Sequence, residues 1–181
     1  MVGVSGGSVV GFGATRAIGS GPGVVSMLCD LFVDPRLHGS ICGRAMLAEL
    51  WPGRGRRMTF SSLHGHALPL YTSFGLDAWW PLLYLRGRVD AVAAPDGWQA
   101  EPATPAEVAA LELAWTGVDR ADDHAALQPK GGQAAVCLPG PHPAVRALLA
   151  AGWRVAEFDL YMASEPGLLD PIRAVPSPAL A

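Results

Sequence analysis

Residues 31–47 read LFVDPRLHGSICGRAML. The first three residues form an apolar run of strand type, and Pro35 interrupts the strand because it has no N–H group to donate to a neighbour. Small residues follow in the segment 39–43, where a ligand can approach the backbone closely. Apolar side chains within 42–50 then recur at helical spacing and supply one buried face. The segment therefore predicts a strand, a small-residue turn and the start of an amphipathic helix.

The start of this predicted helix is a candidate anion-binding site. The first N–H groups of a helix have no partner within the helix, and the helix dipole places partial positive charge at the same end. A phosphate or a pyrophosphate is the natural occupant of such a site.

The same segment resembles the signature of the GNAT family of acetyl-CoA-dependent N-acetyltransferases. That signature is a strand ending in Val-x-Pro, followed by Arg/Gln-x-x-Gly-x-Gly/Ala at a helix start. Val33 and Pro35 match it, and residues 38–43 occupy the six-residue loop, with His38 in place of Arg or Gln and Ile41 in place of the first Gly. The resemblance implies acetyl-CoA as co-substrate. It implies binding by Leu31, Phe32, Val33, His38, Gly39, Ser40, Ile41, Cys42, Gly43, Arg44 and His64.

A second segment strengthens the resemblance. GNAT enzymes commonly carry Asn-x-x-Ala-x-x-Leu-Tyr-x-x-x-Gly-Phe, and here His64, Ala67, Leu70, Tyr71 and Gly75 keep that register, with His64 in the Asn place. The resemblance implies that Tyr71 protonates the departing thiolate, a role that suits a phenol with an ordinary pKa near ~10. The alternative is that Tyr71 is only a core residue of a short helix.

Two further groups of residues carry alternative interpretations. Asp30 lies on the strand where several GNAT enzymes place the carboxylate that takes a proton from the acceptor amine, and it could equally face solvent. His64 and His66 alternate as metal ligands would on an extended strand. No third ligand is near in sequence, so a turn leading into a helix is favoured and no metal site is predicted.

The resemblance also implies the fold class and the organisation of the chain. We expect an α/β fold with a mixed, mostly antiparallel central sheet flanked by helices. Residues 1–93 form a GNAT-like unit without the family's usual opening strand and two helices, and a linker covers 93–102. Residues 100–165 form a partial, degenerate second GNAT-like repeat, and 166–181 is a Pro-rich tail. The predicted strands are 8–18, 24–33, 58–62, 81–86, 133–138 and 156–163.

The second unit aligns with the first around two glycines. Placing Gly75 on Gly152 puts Leu148 where Tyr71 stands, so the second unit lacks the phenol. The segment 104–107, Thr-Pro-Ala-Glu, has the form of a capping box with Pro at the first helical position. It predicts a helix ending near residue 117.

Composition bounds the class of protein. Of 181 residues, 50% are hydrophobic and 16% are charged, a composition that argues against disorder across the whole chain. The formal net charge of −3 argues against non-specific nucleic-acid binding.

No segment has the length and apolarity of a membrane span. No early Lys or Arg precedes the first apolar run, so no signal peptide is predicted. The three cysteines are far apart in apolar contexts, and we expect reduced thiols in the cytoplasm.

Three functions remain open at this point. The first, implied by the resemblance, is acetyl transfer from acetyl-CoA to an amine by direct attack, with the acceptor not identified. The second is a GNAT-like acyl-CoA-binding or regulatory module without turnover. The third is a structural or oligomerising fragment, including a homodimer in which another chain supplies the missing elements.

Overall fold

The computed structural model describes residues 1–18, 23–88, 101, 103–116, 121–122 and 132–173. The predicted linker at 93–102 lies outside these ranges except for residue 101. Residues 174–181 of the Pro-rich tail lie outside them as well.

The described chain contains seven strands and four helices with defined bounds. The strands are β1 (Val2–Ser5), β2 (Ser8–Ile18), β3 (Val25–Val33), β4 (Arg57–Ser61), β5 (Asp77–Arg88), β6 (Gln133–Pro139) and β7 (Arg154–Ala163). The helices are α1 (Cys42–Leu50), α2 (Ala67–Ser73), α3 (Pro105–Thr116) and α4 (Ala144–Ala150), and Pro35–Leu37 forms one 3-10 turn. Within the described ranges, no helix has the length and apolarity needed to cross a membrane.

The strands form one sheet in the order β1-β2-β3-β4-β7-β5-β6. The pairs β1–β2, β2–β3, β4–β7 and β5–β6 are antiparallel, and the pair β3–β4 is parallel. This is the mixed, mostly antiparallel sheet that the resemblance implied.

The chain packs as two compact units. The first contains Met1–Trp79 and Leu160–Leu168, and the second contains Trp80–Asp159 with residues 169–180. The boundaries therefore fall inside β5 and β7, whereas the sequence placed the division at 93–102. Composition marks a change in local chain character, but the compact units follow tertiary packing, which lets one long strand contribute to both.

In the first unit, α1 packs on the sheet where β2 carries glycine. A Cβ atom on Gly11 would lie 3.0 Å from Sδ of Met46, and one on Gly13 would lie 2.6 Å from Cδ1 of Leu50. Glycine therefore lets the helix approach the strand closely. The core beneath α1 consists of Leu28, Leu47, Trp51, Tyr71, Leu76 and Met162.

Helices α2 and α4 end in the same way at the predicted register. Gly75 and Gly152 have positive φ values of 82° and 83°. Each follows a seven-residue helix, and the next N–H group donates back to Tyr71 O at 3.2 Å or to Leu148 O at 3.0 Å. This is a Schellman cap, which needs a left-handed residue that glycine supplies without strain. Tyr71 and Leu148 thus occupy equivalent helix positions, as the alignment predicted.

The predicted capping box of α3 is confirmed. The Thr104 N–H donates to Glu107 Oε2 at 2.7 Å, and the Glu107 N–H donates to Thr104 Oγ1 at 3.3 Å. Two N–H groups without helical partners are satisfied by this exchange. The packed core of the second unit consists of Leu85, Leu138, Val145, Leu148 and Trp153.

Strands β3 and β4 separate after a short paired stretch. Ser26–Leu28 pairs with Arg57–Thr59, and the Thr59 hydroxyl donates to Leu28 O at 3.0 Å. β3 then continues to Val33, paired with β2 alone. The sheet therefore opens between two neighbouring strands, and the backbone of β3 is left accessible along its final residues.

Candidate functional site

A cleft of about 380 Å³ lies in the first unit beside the unpaired end of β3. One wall comes from β3, a second from the turn and helix start that follow it, and a third from the segment that leads into α2. The predicted site residues in its wall are Leu31, Val33, His38, Gly39, Ser40, Gly43, Arg44, His64 and Tyr71.

Other lining residues were not assigned to the site from the sequence. They are Leu37, His66, Ala67, Pro69 and Leu70. Ala67 and Leu70 belong to the second motif, so the register contained a signal for them. His66 also had a sequence signal, its spacing of two residues from His64. That spacing was considered only as a pattern for metal ligands.

Four predicted site residues have side chains outside the lining. Phe32 is 56% exposed and stacks on Phe12 with ring centroids 4.8 Å apart. Ile41 is 77% exposed, and the Sγ atom of Cys42 lies 4.0 Å from Sδ of Met46. Alternation along a strand explains Phe32, since its neighbours on β3 face the cleft.

The fourth is Asp30, the candidate base. It is exposed and lies two residues before Phe32, on the strand face opposite to Leu31 and Val33. No Asp or Glu side chain lines the cleft among the described residues.

The turn between β3 and α1 is held by its own side chains. His38 Nε2 lies 3.0 Å from the carbonyl oxygen of Val33. The Ser40 hydroxyl accepts a hydrogen bond from the Cys42 N–H at 3.2 Å. Gly39 has a φ of 77°, which only glycine adopts readily. The His38 ring therefore occupies one backbone acceptor at the exposed edge of β3.

The start of α1 supplies hydrogen-bond donors. The N–H groups of Gly43 and Arg44 make no hydrogen bond to another described residue. The Arg44 guanidinium lines the cleft and makes no ion pair within the described part of the chain. Donors and a permanent positive charge at a helix start suit an anionic ligand.

Tyr71 lies on α2 in the third wall, with 8% of its surface exposed. Burial raises the pKa of its phenol to about 12. Its hydroxyl has no hydrogen-bond partner among the described residues. The side chain is therefore a neutral O–H donor at physiological pH, both a core residue and a lining residue.

Two solved structures share this architecture. A protein from Pyrococcus horikoshii named "Putative Acetyltransferase" has a TM-score of 0.63 at 10% identity, covering 97% of this chain and 78% of that one. A tandem GNAT protein from the clavulanic acid biosynthesis pathway has a TM-score of 0.52 at 15% identity, covering 93% and 83%. The chain has a GNAT-like fold. No family model and no curated protein matches its sequence.

Within this GNAT-like fold, the lining of the cleft combines apolar side chains with hydrogen-bond donors and a positive charge. Leu31, Val33 and Leu70 give it an apolar side along β3 and α2. Arg44 and the free N–H groups at the start of α1 add donors and a positive charge next to Val33 and Leu70. An elongated ligand with an apolar arm and an anionic head matches this distribution.

Proposed function

We propose that this chain is an acetyltransferase that moves an acetyl group from acetyl-CoA to an amine by direct attack. The observation that carries the proposal is a neutral phenol, Tyr71, in the wall of the cleft that Arg44 and the unpaired N–H groups at the start of α1 also line. A proton donor and an anion site within one cleft are what this reaction requires.

The lining residues fit acetyl-CoA. The N–H groups of Gly43 and Arg44, with the Arg44 guanidinium, would hold the pyrophosphate. The apolar stretch at Leu31 and Val33 would lie along the pantetheine arm. When bound, acetyl-CoA supplies an activated acetyl group and carries a thiolate leaving group.

Tyr71 holds a proton at its Oη atom through the physiological range, because its pKa is about 12. A neutral phenol can share that proton with sulfur as negative charge develops there, and burial makes it a weaker acid than a phenol with the ordinary pKa near ~10. The described wall contains no carboxylate. We therefore assign the proton lost by the acceptor amine to water rather than to Asp30.

The second unit is proposed to be a degenerate copy of the first. Leu148 occupies the helix position that Tyr71 has in the first unit. Leucine cannot donate a proton, so this helix position in the second unit cannot supply the acid that Tyr71 supplies in the first.

A second candidate function is an acyl-CoA-binding module without turnover. Two observations favour it: His38 occupies the Val33 carbonyl, and the described wall has no carboxylate to act as a base. Such a module would bind acetyl-CoA but leave the thioester intact.

Calorimetric titration with acetyl-CoA, followed by a thiol-release assay, separates these functions. The acceptor panel contains a polyamine, an aminoglycoside, free amino acids and a peptide with a free N-terminus. Binding with thiol release that depends on an amine supports the transferase. Binding without release across the panel supports the module, and no binding at all rejects both.

A further inference from the structure

Three histidines converge in the wall of the cleft. The ring centroids of His38 and His64 are 5.1 Å apart, those of His38 and His66 are 6.1 Å apart, and those of His64 and His66 are 5.5 Å apart. They come from two segments separated in sequence, and all three line the cleft. We call them the histidine cluster.

Each ring keeps a nitrogen for a further partner. His38 uses Nε2 toward Val33 O, and His64 uses Nδ1 to accept the His66 N–H at 3.3 Å. The remaining ring nitrogens make no hydrogen bond to another described residue. Imidazole is the side chain that changes charge between about pH 5 and pH 8.

Asp34 is the acidic group near the cluster and interacts electrostatically with His38, but Arg36 pairs with the same carboxylate. On the 3-10 turn before His38, Asp34 is held by Arg36, and hydrogen bonding from Arg36 lowers the pKa of Asp34 to about 2. That pair is neutral overall. The cation of Arg44 on α1 and the neutral phenol of Tyr71 on α2 line the same cleft as the cluster.

We propose that the binding of a polyanionic ligand in this cleft is coupled to proton uptake by the histidine cluster. The identification of that ligand as acetyl-CoA rests on the proposed function, whereas the requirement for negative charge rests on the cluster and Arg44. A phosphate beside an imidazole favours its cationic form. Affinity therefore rises as pH falls through the range in which imidazole titrates, tenfold per pH unit for each proton taken up.

An anion suits the cluster better than a metal ion. Among the described residues, no group of three or more His, Cys, Asp or Glu side chains is arranged to hold a metal. Arg44, which lines the same cleft, would also repel a cation, whereas it adds to the attraction for phosphate.

The test is titration calorimetry with acetyl-CoA and, separately, with inorganic pyrophosphate, on chelator-treated protein. Phosphate-free buffers of different ionisation enthalpy report the protons taken up. We expect net uptake near neutral pH and a Kd at least about tenfold lower near pH 6 than near pH 8. The same titrations on untreated protein are the reference. A pH dependence that is present in untreated protein and lost after chelation would assign it to a bound metal and overturn the proposal.

The pH dependence of Kd has one contribution from the histidines and one from the ligand's own ionisation. The ligand's contribution is the same for every variant, so a comparison of variants isolates that of the histidines. His38→Gln keeps a donor for Val33 O, His64→Asn keeps an acceptor for the next N–H, and His66→Gln completes the triple variant. His142→Asn is the matched control, since His142 lies in the second unit and its Nδ1 accepts the Ala144 N–H at 3.2 Å. The control should keep the native pH dependence of Kd, and the triple variant should keep only the part that comes from the ligand's own ionisation.

If the triple variant does not fold, NMR titration of the imidazole protons in the native chain gives the same answer. At a fixed pH near neutrality, the imidazole proton signals of all three rings should move toward those of the cationic form when pyrophosphate is added, and unchanged signals overturn the proposal.

The two ligands keep this inference distinct from the proposed function. Binding of pyrophosphate with proton uptake, but no binding of acetyl-CoA, supports the cluster and rejects the transferase. Binding of acetyl-CoA without proton uptake rejects the cluster alone. No binding of either ligand rejects both.

Discussion

The guanidinium carbon of Arg44 lies 5.8 Å from the centre of the Phe74 ring, at the C-terminal end of α2. An aromatic face holds a guanidinium in place without neutralising it. Because Arg44 also lines the cleft, its charge is fixed in position and remains available to a bound anion.

Replacement of Arg44 by Gln should raise the Kd for acetyl-CoA about tenfold, because a charge-assisted contact with phosphate is lost. The dependence of Kd on salt should also weaken, since one cation fewer is screened. Arg146→Gln is the control, because Arg146 is exposed on α4 and does not line the cleft. Calorimetry at two salt concentrations measures both effects. Equal effects of the two substitutions would show that Arg44 does not contact the ligand.

Tyr71→Phe should lower kcat at least about 100-fold while leaving the Kd for acetyl-CoA within about twofold, because it removes only the proton donor. Tyr84→Phe is the control. It also removes a phenolic oxygen, but from a tyrosine in the second unit whose hydroxyl donates to Asp159 at 2.6 Å. Steady-state thiol release and calorimetry give the two constants. Native turnover in Tyr71→Phe would reject the assignment of Tyr71 as the acid.

Tyr71 should also make stability fall at high pH. Its pKa is about 12 in the folded chain and near ~10 when unfolded. The unfolded state therefore loses its proton first, so the stabilisation is complete below about pH 10 and is lost as pH rises toward 12. The loss amounts to about 2–3 kcal/mol across that window. Urea denaturation at a series of alkaline pH values should show a steeper decline for the native chain than for Tyr71→Phe, and identical slopes would contradict this account.

Arg57 stabilises the C-terminal end of α1 from a buried position. It is 8% exposed, donates from Nη2 to the carbonyls of Trp51 and Gly53, and lies 5.5 Å from the centre of the Trp51 ring. A cation at this end of a helix interacts favourably with its dipole.

Substitution of Arg57 by Met should reduce the free energy of unfolding by about 2 kcal/mol, because two carbonyl groups lose a charged donor. The neighbouring Arg56 is the control. It is partly exposed and pairs with Glu165 at 2.5 Å, so Arg56→Gln should cost below about 1 kcal/mol. Chemical denaturation of the two variants measures the difference, and comparable losses would contradict the capping role of Arg57.

The elements with strong local signals were predictable. β2 and the start of α1 lie where the sequence placed them, since apolar periodicity and a proline define them within a few residues. β1 was missed because its four residues carry too little pattern, and its strand character comes from pairing with β2. β5 begins at Asp77 rather than near Pro81, because the sheet tolerates the proline inside a strand where its missing N–H is not needed.

Some features of the candidate site were also predictable from the sequence, and others were not. The turn at 38–43 and the phenol of Tyr71 were predictable because each belongs to a contiguous motif. The direction of Asp30 was not, since β3 carries apolar residues on both faces and the sequence does not say which face meets α1. The convergence of His38 with His66 was likewise invisible in a one-dimensional pattern.

The amino-acid sequence alone determined the order of the strands and helices after β1, the small-residue turn after β3 and the register of the two glycine-terminated helices. These features depend on residues a few positions apart, whose conformations are set by local sterics and hydrogen bonding. Tertiary structure decided where β3 and β4 separate, which side chains meet in the cleft and where the compact units divide. Those features depend on contacts between segments far apart in the chain, and only packing specifies them.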